Sequence, residues 1–255
     1  MSQAAARSRA TTAQAATSRP TATRAATTGR SAARGPWLDP ADRRVGILGG
    51  TFDPIHYGHL VIAEEVRQAL HLDRVVFVPA PRPPHKLDEQ LASATDRAAM
   101  VALAIAGNPA FALSEIELER DGPSYTADTL AELAGEAARQ GLERDLYFIL
   151  SAEALAGLAK WHEPARLIES ARLAVVGRPG WPLPDTARLA AMLPGGTASA
   201  SRVERIETVP IANSSSDVRA RAAAGLSIRY LVPPAVEAYI RDQRLYRSEN
   251  SRRTA

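Results

Sequence analysis

Hydrophobic and polar positions along this chain switch repeatedly between a strand-like and a helix-like period. Residues 44–50, "RVGILGG", form a continuous apolar run closed by two glycines, as expected of a strand buried on both faces. The next segment, "HLVIAEEVRQALHL", sets Leu60, Ala63, Val66, Ala69 and Leu70 on one helical stripe. "RVVFVPA", Arg74 to Ala80, predicts a second strand. "SATDRAAMVALAIAG" predicts a helix entered through a capping box of Ser93 and Asp96. "FALSEIELER" reads as a strand, and "SYTADTLAELAGEAARQ" as a helix with Ser124 or Thr126 at its N-cap. "DLYFIL" is a strand, "SAEALAGLAKW" a helix, and "RLAVVGRPG" and "VERIETVP" are further strands. "SSSDVRARAAAG" predicts a helix with hydroxyls at its start and Gly225 near its end. "PPAVEAYIRDQRLY" predicts a last helix with proline in its first turn.

Strands alternating with helices imply an α/β fold, a doubly wound and mostly parallel sheet with helices on both faces. One domain over residues 43–247 accommodates all of these elements. Ligands of such sheets sit outside the carboxyl ends of the strands, so the segments that follow strands are the ones to search for chemistry.

Composition changes this picture at the chain ends. Hydrophobic residues make up 45% of the 255, enough for a globular core, and no apolar run approaches the roughly 18 residues of a membrane span. The sequence has no cysteine, which excludes disulfides and cysteine-ligated metals and suits a cytoplasmic protein. Six of the 31 Lys and Arg residues lie in residues 1–38, which carry no acid, so the remainder holds 25 basic against 28 acidic residues. The basic balance therefore comes from the first segment, and the folded part is not read as a nucleic-acid binder. Residues 1–40 are rich in Ala, Thr, Ser and Arg and nearly lack large apolar side chains, which predicts a disordered extension. Residues 248–255 are expected to fray.

Candidate chemistry clusters after the first strand. Gly49 and Gly50 can let a phosphate approach the backbone, although a plain turn would use the same pair. His56 and His59, three residues apart at a helix start, face one way, where helix N–H groups and the dipole attract anions. Zinc is the rival ligand, but two histidines without cysteine or a near third ligand make a poor zinc site. A second cluster, "NSSSDVRAR", places Ser214, Ser215 and Ser216 before a helix and Arg219 one turn on, able to converge on an anion or merely to cap the helix. "PRPPHK" is a stiff loop able to hold Lys86 over a phosphate. Two anion sites at strand ends suggest a nucleoside triphosphate across the sheet edge. With no Ser-His-Asp or Cys-His arrangement apparent, phosphoryl or nucleotidyl transfer by positioning and charge neutralisation is the chemistry indicated.

"GGTFDPIHYGHL" resembles the signature of the HIGH-motif nucleotidyltransferases, and residues 45–246 resemble bacterial nicotinate-nucleotide adenylyltransferases. "VPAPRPPHK", "ERDGPSYTADTL", "YFILSAEAL" with Trp161, "VVGRPG", "SSSDVR" and "YLVPPAVEAYI" carry the likeness. The resemblance implies a Rossmann-like fold and adenylyl transfer from ATP to nicotinate mononucleotide, giving deamido-NAD and pyrophosphate in NAD biosynthesis, with Mg²⁺ held by phosphates and water. It implies that His56, His59, Arg219 and Lys86 are catalytic. It implies ATP contacts from Gly49, Gly50, Thr51, Phe52, Ser215 and Ser216, and mononucleotide contacts from Ser124, Tyr125, Thr126, Trp161 and Arg178.

One departure stands out. Where the family has Gly-x-Asp, this chain reads Ser151-Ala152-Glu153, which leaves the nucleotide contact of Ser151 and Glu153 open. Asn213 replaces the usual isoleucine before the serines. The alternatives are an adenylyltransferase for nicotinamide mononucleotide or phosphopantetheine, or a nucleotide-binding paralogue without catalysis. No nucleic-acid or membrane partner is expected.

Overall fold

The computed structural model describes residues 39–81, 91–177, 180–209 and 211–247. The chain divides into two units, Met1–Gly35 and Pro36–Ala255, and everything below concerns the second. The terminal segments at 1–38 and 248–255, and the expectations placed on them, lie outside the described residues.

Among the described residues six strands form one sheet: β1 (Arg44–Gly50), β2 (Arg74–Pro79), β3 (Phe111–Leu113), β4 (Asp145–Ser151), β5 (Arg172–Val176) and β6 (Val203–Ile206). Their order is β3-β2-β1-β4-β5-β6, and every pairing is parallel. Val45 of β1 is in register with Arg74 of β2 on one side and Leu146 of β4 on the other. The order reverses between β1 and β4, which opens a crevice at their carboxyl ends.

The helices among the described residues are α1 (Tyr57–Ala69), α2 (Ala94–Ile105), α3 (Thr126–Arg139), α4 (Ala152–Ala156), α5 (Pro164–Ser170), α6 (Thr186–Met192), α7 (Gly196–Ala200), α8 (Ser215–Ala223) and α9 (Pro234–Asp242). Alternate strand residues feed two cores, one on each face of the sheet, as a period of two requires. Phe148 and Leu150 of β4 pack with α3, α4 and α5, whereas Tyr147 and Ile149 pack on the face covered by α1, α2, α8 and α9. Gly46 is required by this packing, because a Cβ there would stand 2.8 Å from Leu72 Cδ1 and 3.0 Å from Ile149 Cδ1.

Several elements differ from the sequence reading. "FALSEIELER" is a strand only over β3, because the chain turns away after Ser114, whose N–H closes the pairing onto Phe77 O. "VERIETVP" stops as a strand at Ile206. "SAEALAGLAKW" breaks at Gly157 into α4 and a 3-10 turn, Leu158–Lys160. Helices α5, α6 and α7 have five to seven residues, too few for a clear 3.6 period. Ala69, placed on the apolar stripe of α1, is exposed at that helix's end.

The caps shift as well. Ser93 caps α2 by accepting the Asp96 N–H, but the Asp96 carboxylate accepts the Ser93 hydroxyl rather than closing a reciprocal box. Neither Ser124 nor Thr126 caps α3. Tyr125 is the N-cap residue and offers no side-chain acceptor, while the Ser124 hydroxyl donates to Glu117 O at 3.2 Å.

Glu117 sits buried beneath this turn, its carboxylate accepting from the Thr129 hydroxyl at 2.8 Å. Burial pushes its carboxyl above the ordinary 4.5, only partly offset by Thr129 and Arg120. A raised carboxyl favours the fold while it is protonated and costs stability as pH rises through its folded value. Glu117→Gln removes that cost. Its melting temperature is expected to equal wild type near pH 4 and to exceed it increasingly as pH rises above 4.5, which a thermal melt series over pH checks.

Candidate active site

The first cluster forms where β1 ends. After Gly50 the chain passes through Phe52, whose φ of 48° lies in the left-handed region, and enters α1 at His56. The opening N–H groups of a helix have no intrahelical acceptor. Here imidazoles supply it. His56 Nδ1 accepts from Gly58 N at 3.1 Å, and His59 Nδ1 accepts from His56 N at 3.2 Å, a reciprocal capping box. An imidazole that accepts at Nδ1 carries its proton on Nε2. Both rings therefore present an Nε2–H donor.

The rings lie 3.8 Å apart between centroids, tilted by 32°, and the edge of Phe52 meets His59 at 5.1 Å. His56 is only 5% exposed. Phe52 is 2% exposed, and its side chain braces His59. Gly58 leaves room for His56: a Cβ on it would lie 2.9 Å from that ring's Cε1 and Nδ1. Gly49 is different. A Cβ there would find its nearest protein neighbour, Phe148, at an ordinary 3.8 Å, so internal packing does not demand glycine at this exposed strand end.

Helix α8 brings the second cluster to the same place. His56, His59, Gly177, Asn213, Ser214 and Ser215 line one cavity of about 200 Å³. Ser214 is the N-cap, its hydroxyl accepting the Asp217 N–H at 3.1 Å and donating to the Asp217 carboxylate at 2.6 Å. The Ser215 hydroxyl donates to Pro54 O at 2.9 Å and ties α8 to the β1–α1 loop. Ser215 and Ser216 open the helix, so it is their backbone N–H groups that the N-terminus directs outward. Asn213 Nδ2 donates to Leu231 O at 3.3 Å, which accounts for a polar residue at this position.

Ser216 and Arg219 line a neighbouring cavity of about 570 Å³. Arg219 Nη1 donates to Asp53 O at 2.8 Å. Asp53 and Arg97, which sequence reasoning missed, are 1% and 2% exposed behind the site. Arg97 donates to four carbonyls: Thr51 and Ala80 at 2.7 Å, Pro81 at 3.1 Å and Ala92 at 3.3 Å. Burial lowers its pKa and the charge of Asp53 opposes that. One guanidinium thus holds the loop after β1 to the chain after β2.

Tyr125 and Thr126 lie elsewhere, at the N-terminus of α3, where the residue after Trp161 in the chain, His162, also comes. Tyr125, 39% exposed, stacks on His162 at 4.1 Å and 29°, and Arg166 bridges to Asp128 at 2.8 Å. Trp161, half-buried, meets Phe148 edge-on at 6.1 Å. His162 was not anticipated, having no partner in sequence that would mark it. Ser151 ends β4 and caps α4 by accepting the Ala154 N–H at 3.1 Å, so the Gly-to-Ser departure supplies a helix cap. Glu153 is exposed in the first turn of α4. Lys86 and Arg178 lie outside the described residues.

The sequence matches the model of the cytidylyltransferase-like family over residues 47–221. It is 51% identical over 203 residues to a probable nicotinate-nucleotide adenylyltransferase of a Roseiflexus species, covering 80% of this chain and 98% of that one. A protein of the same description from Thermomicrobium roseum is 43% identical over 205 residues, covering 80% and 92%. Among solved structures, the fold is similar to Plasmodium falciparum nicotinic acid mononucleotide adenylyltransferase complexed with NaAD, at a TM-score of 0.65 and 18% identity, covering 80% and 97%.

The reciprocal cap makes a spectroscopic prediction. Imidazole ¹⁵N correlations should report the Nε2–H tautomer for both His56 and His59, and a protonated Nδ1 on either ring would contradict the cap. In Gly58→Ala the new Cβ displaces the His56 ring, so His56 should lose that signature.

Proposed function

The chain belongs to the cytidylyltransferase-like family and, within it, to the nicotinate-nucleotide adenylyltransferases, and on that premise we propose that it transfers the adenylyl group of ATP to nicotinate mononucleotide, releasing pyrophosphate and forming nicotinate adenine dinucleotide. The observation that carries the site reading is the single cavity shared by the α1 imidazoles and the α8 N-terminus. Two helix starts and two imidazoles converge on a space suited to phosphates. Residues 43–247 are the catalytic domain in this reading, and its location is cytoplasmic.

A phosphate oxygen of the mononucleotide attacks the α-phosphorus of ATP in line. A new P–O bond forms as the bond to pyrophosphate breaks. The nucleophile is already ionised, so no general base is needed, and both rings can remain donors throughout. Catalysis then rests on stabilising charge as it develops on the α-phosphoryl oxygens and the leaving group. His56 and His59 donate from one side, while the N–H groups of Ser215 and Ser216 and the guanidinium of Arg219 donate from the other. Gly49, Gly50 and Thr51 allow close backbone approach, and Lys86 adds charge by family resemblance. Among the described residues no carboxylate lines the cavity, which suits phosphate rather than a cation. Mg²⁺ would therefore enter on phosphate oxygens and water, supplying charge neutralisation for the leaving pyrophosphate.

The α3 terminus supports nicotinate over nicotinamide. Its first N–H groups receive no side-chain cap from Tyr125, and an open helix start favours a carboxylate over a neutral amide. The Tyr125–His162 stack offers an aromatic face beside it, and Trp161, next to His162 in the chain, is the other candidate to stack on the pyridine ring.

Pyrophosphate release from Mg-ATP should be fast with nicotinate mononucleotide and much slower with nicotinamide mononucleotide or phosphopantetheine. Equal rates with the nicotinamide form would refute the acceptor assignment, and no release with any acceptor would refute catalysis. His59→Ala should lower kcat by about 10²–10³, the scale of one lost transition-state donor, with a smaller change in KM. A wild-type kcat would remove His59 from the mechanism.

A further inference from the structure

The carboxylate of Asp53 is held unequally. Its Oδ1 accepts from the Tyr246 hydroxyl at 2.6 Å and from Ala92 N at 3.1 Å. Its Oδ2 has no hydrogen-bond partner among the described residues, although the side chain is almost wholly buried. That oxygen stands 3.7 Å from Arg219 Nη1. A guanidinium and a carboxylate at liberty close to about 2.7–2.9 Å and form a charge-assisted, often bidentate pair. Here the approach stops about an ångström short, and Arg219 Nη1 donates to the Asp53 carbonyl instead.

The restraint comes from the far end of the chain. Tyr246 lies 193 positions after Asp53, is half-buried, and burial beside that carboxylate pushes its phenol up, so it stays a neutral donor. Asp53 also has Arg97 as a charged neighbour, whose own hydrogen bonds run to carbonyls. One carboxylate thus faces two guanidinium groups. How closely it pairs with Arg219 bears on how much positive charge that residue can offer a ligand.

We propose that Tyr246 is a positioning residue: by pinning Asp53 Oδ1 it withholds the carboxylate from a close ion pair with Arg219, so that the guanidinium charge is directed to the triphosphate of the substrate. This rests on the function proposed above. Without the hydroxyl, the carboxylate turns toward Arg219, neutralises it and draws it off the phosphates. The effect falls on ATP and not on the acceptor mononucleotide, whose cluster lies at the α3 terminus.

The test uses the full chain with Tyr246→Phe, Asp53→Asn and the pair combined, measuring pyrophosphate release with each substrate varied in turn, and melting temperature. Tyr246→Phe should lower kcat/KM for ATP about tenfold, the scale of a hydrogen bond to a charged group, while KM for the mononucleotide stays within about twofold. Adding Asp53→Asn should restore most of that loss, because a neutral amide cannot neutralise Arg219. Asp53→Asn alone should keep kcat/KM for ATP within about threefold of wild type. Equal losses for both substrates, no recovery in the double variant, or a loss in Asp53→Asn as large as in Tyr246→Phe would each overturn the proposal. If wild type itself releases no pyrophosphate, the functional reading fails instead. The affinity of a fluorescent ATP analogue, compared across the same variants, then decides the role of Tyr246 separately.

Discussion

A backbone N–H at the start of a helix needs an acceptor, and in α1 that acceptor is imidazole. Aspartate or serine would satisfy the same donors and leave nothing over. A histidine satisfies them with Nδ1 and keeps a second, opposed nitrogen that must then carry the proton. The cap and the presentation of two Nε2–H donors are one event. Rotating either ring would leave a buried N–H unmet, so hydrogen bonding holds each donor in place without help from a ligand. The edge of Phe52 and the absence of a side chain at Gly58 complete the support.

The parallel sheet decides where those donors point. Every strand ends on the same side, so the loop after β1, the end of β4 and the segment after β6 open onto a common edge. The reversal of order between β1 and β4 parts the flanking helices there. Into that opening α8 brings its own N-terminus, and the Ser215 hydroxyl on Pro54 O fixes its distance from α1. The serines that look like phosphate ligands in sequence divide their work. Ser214 serves the cap, Ser215 the inter-loop tie, and their helix supplies the N–H groups.

Beneath this surface the positive charges are organised by carbonyls as much as by carboxylates. Arg97 is satisfied by four backbone oxygens, which lets a buried guanidinium stay charged while it ties the loop after β1 to the chain after β2. Asp53 offsets part of the charge without cancelling it. A site meant for a polyanion gains from such a balance, since a fully paired cation has little left to offer and an unpaired one is costly to bury.

Local pattern carried the strands, the long helices α1, α2, α3 and α9, and the pairing of His56 with His59, because each is a matter of period or of neighbours within a turn. The motif resemblance carried the chemistry. Short helices escaped, since α5 to α7 are held by packing on an existing sheet and not by a period of their own, and β3 was read longer than it is. Capping escaped in part, because whether Ser124 faces its own helix or Glu117 O depends on how the chain arrives. Arg219 was legible as a candidate, but the set it forms with Asp53, Arg97 and Tyr246 was not. Its members sit on the first loop, on α2, on α8 and after α9, and only folding brings them within hydrogen-bond reach. What the sequence determined alone was the set of donors near the turn after the first strand. The tertiary structure decided which nitrogen of each histidine accepts and how Asp53 is set against Arg219, because both follow from partners that are distant in the chain or set by the direction in which the backbone turns.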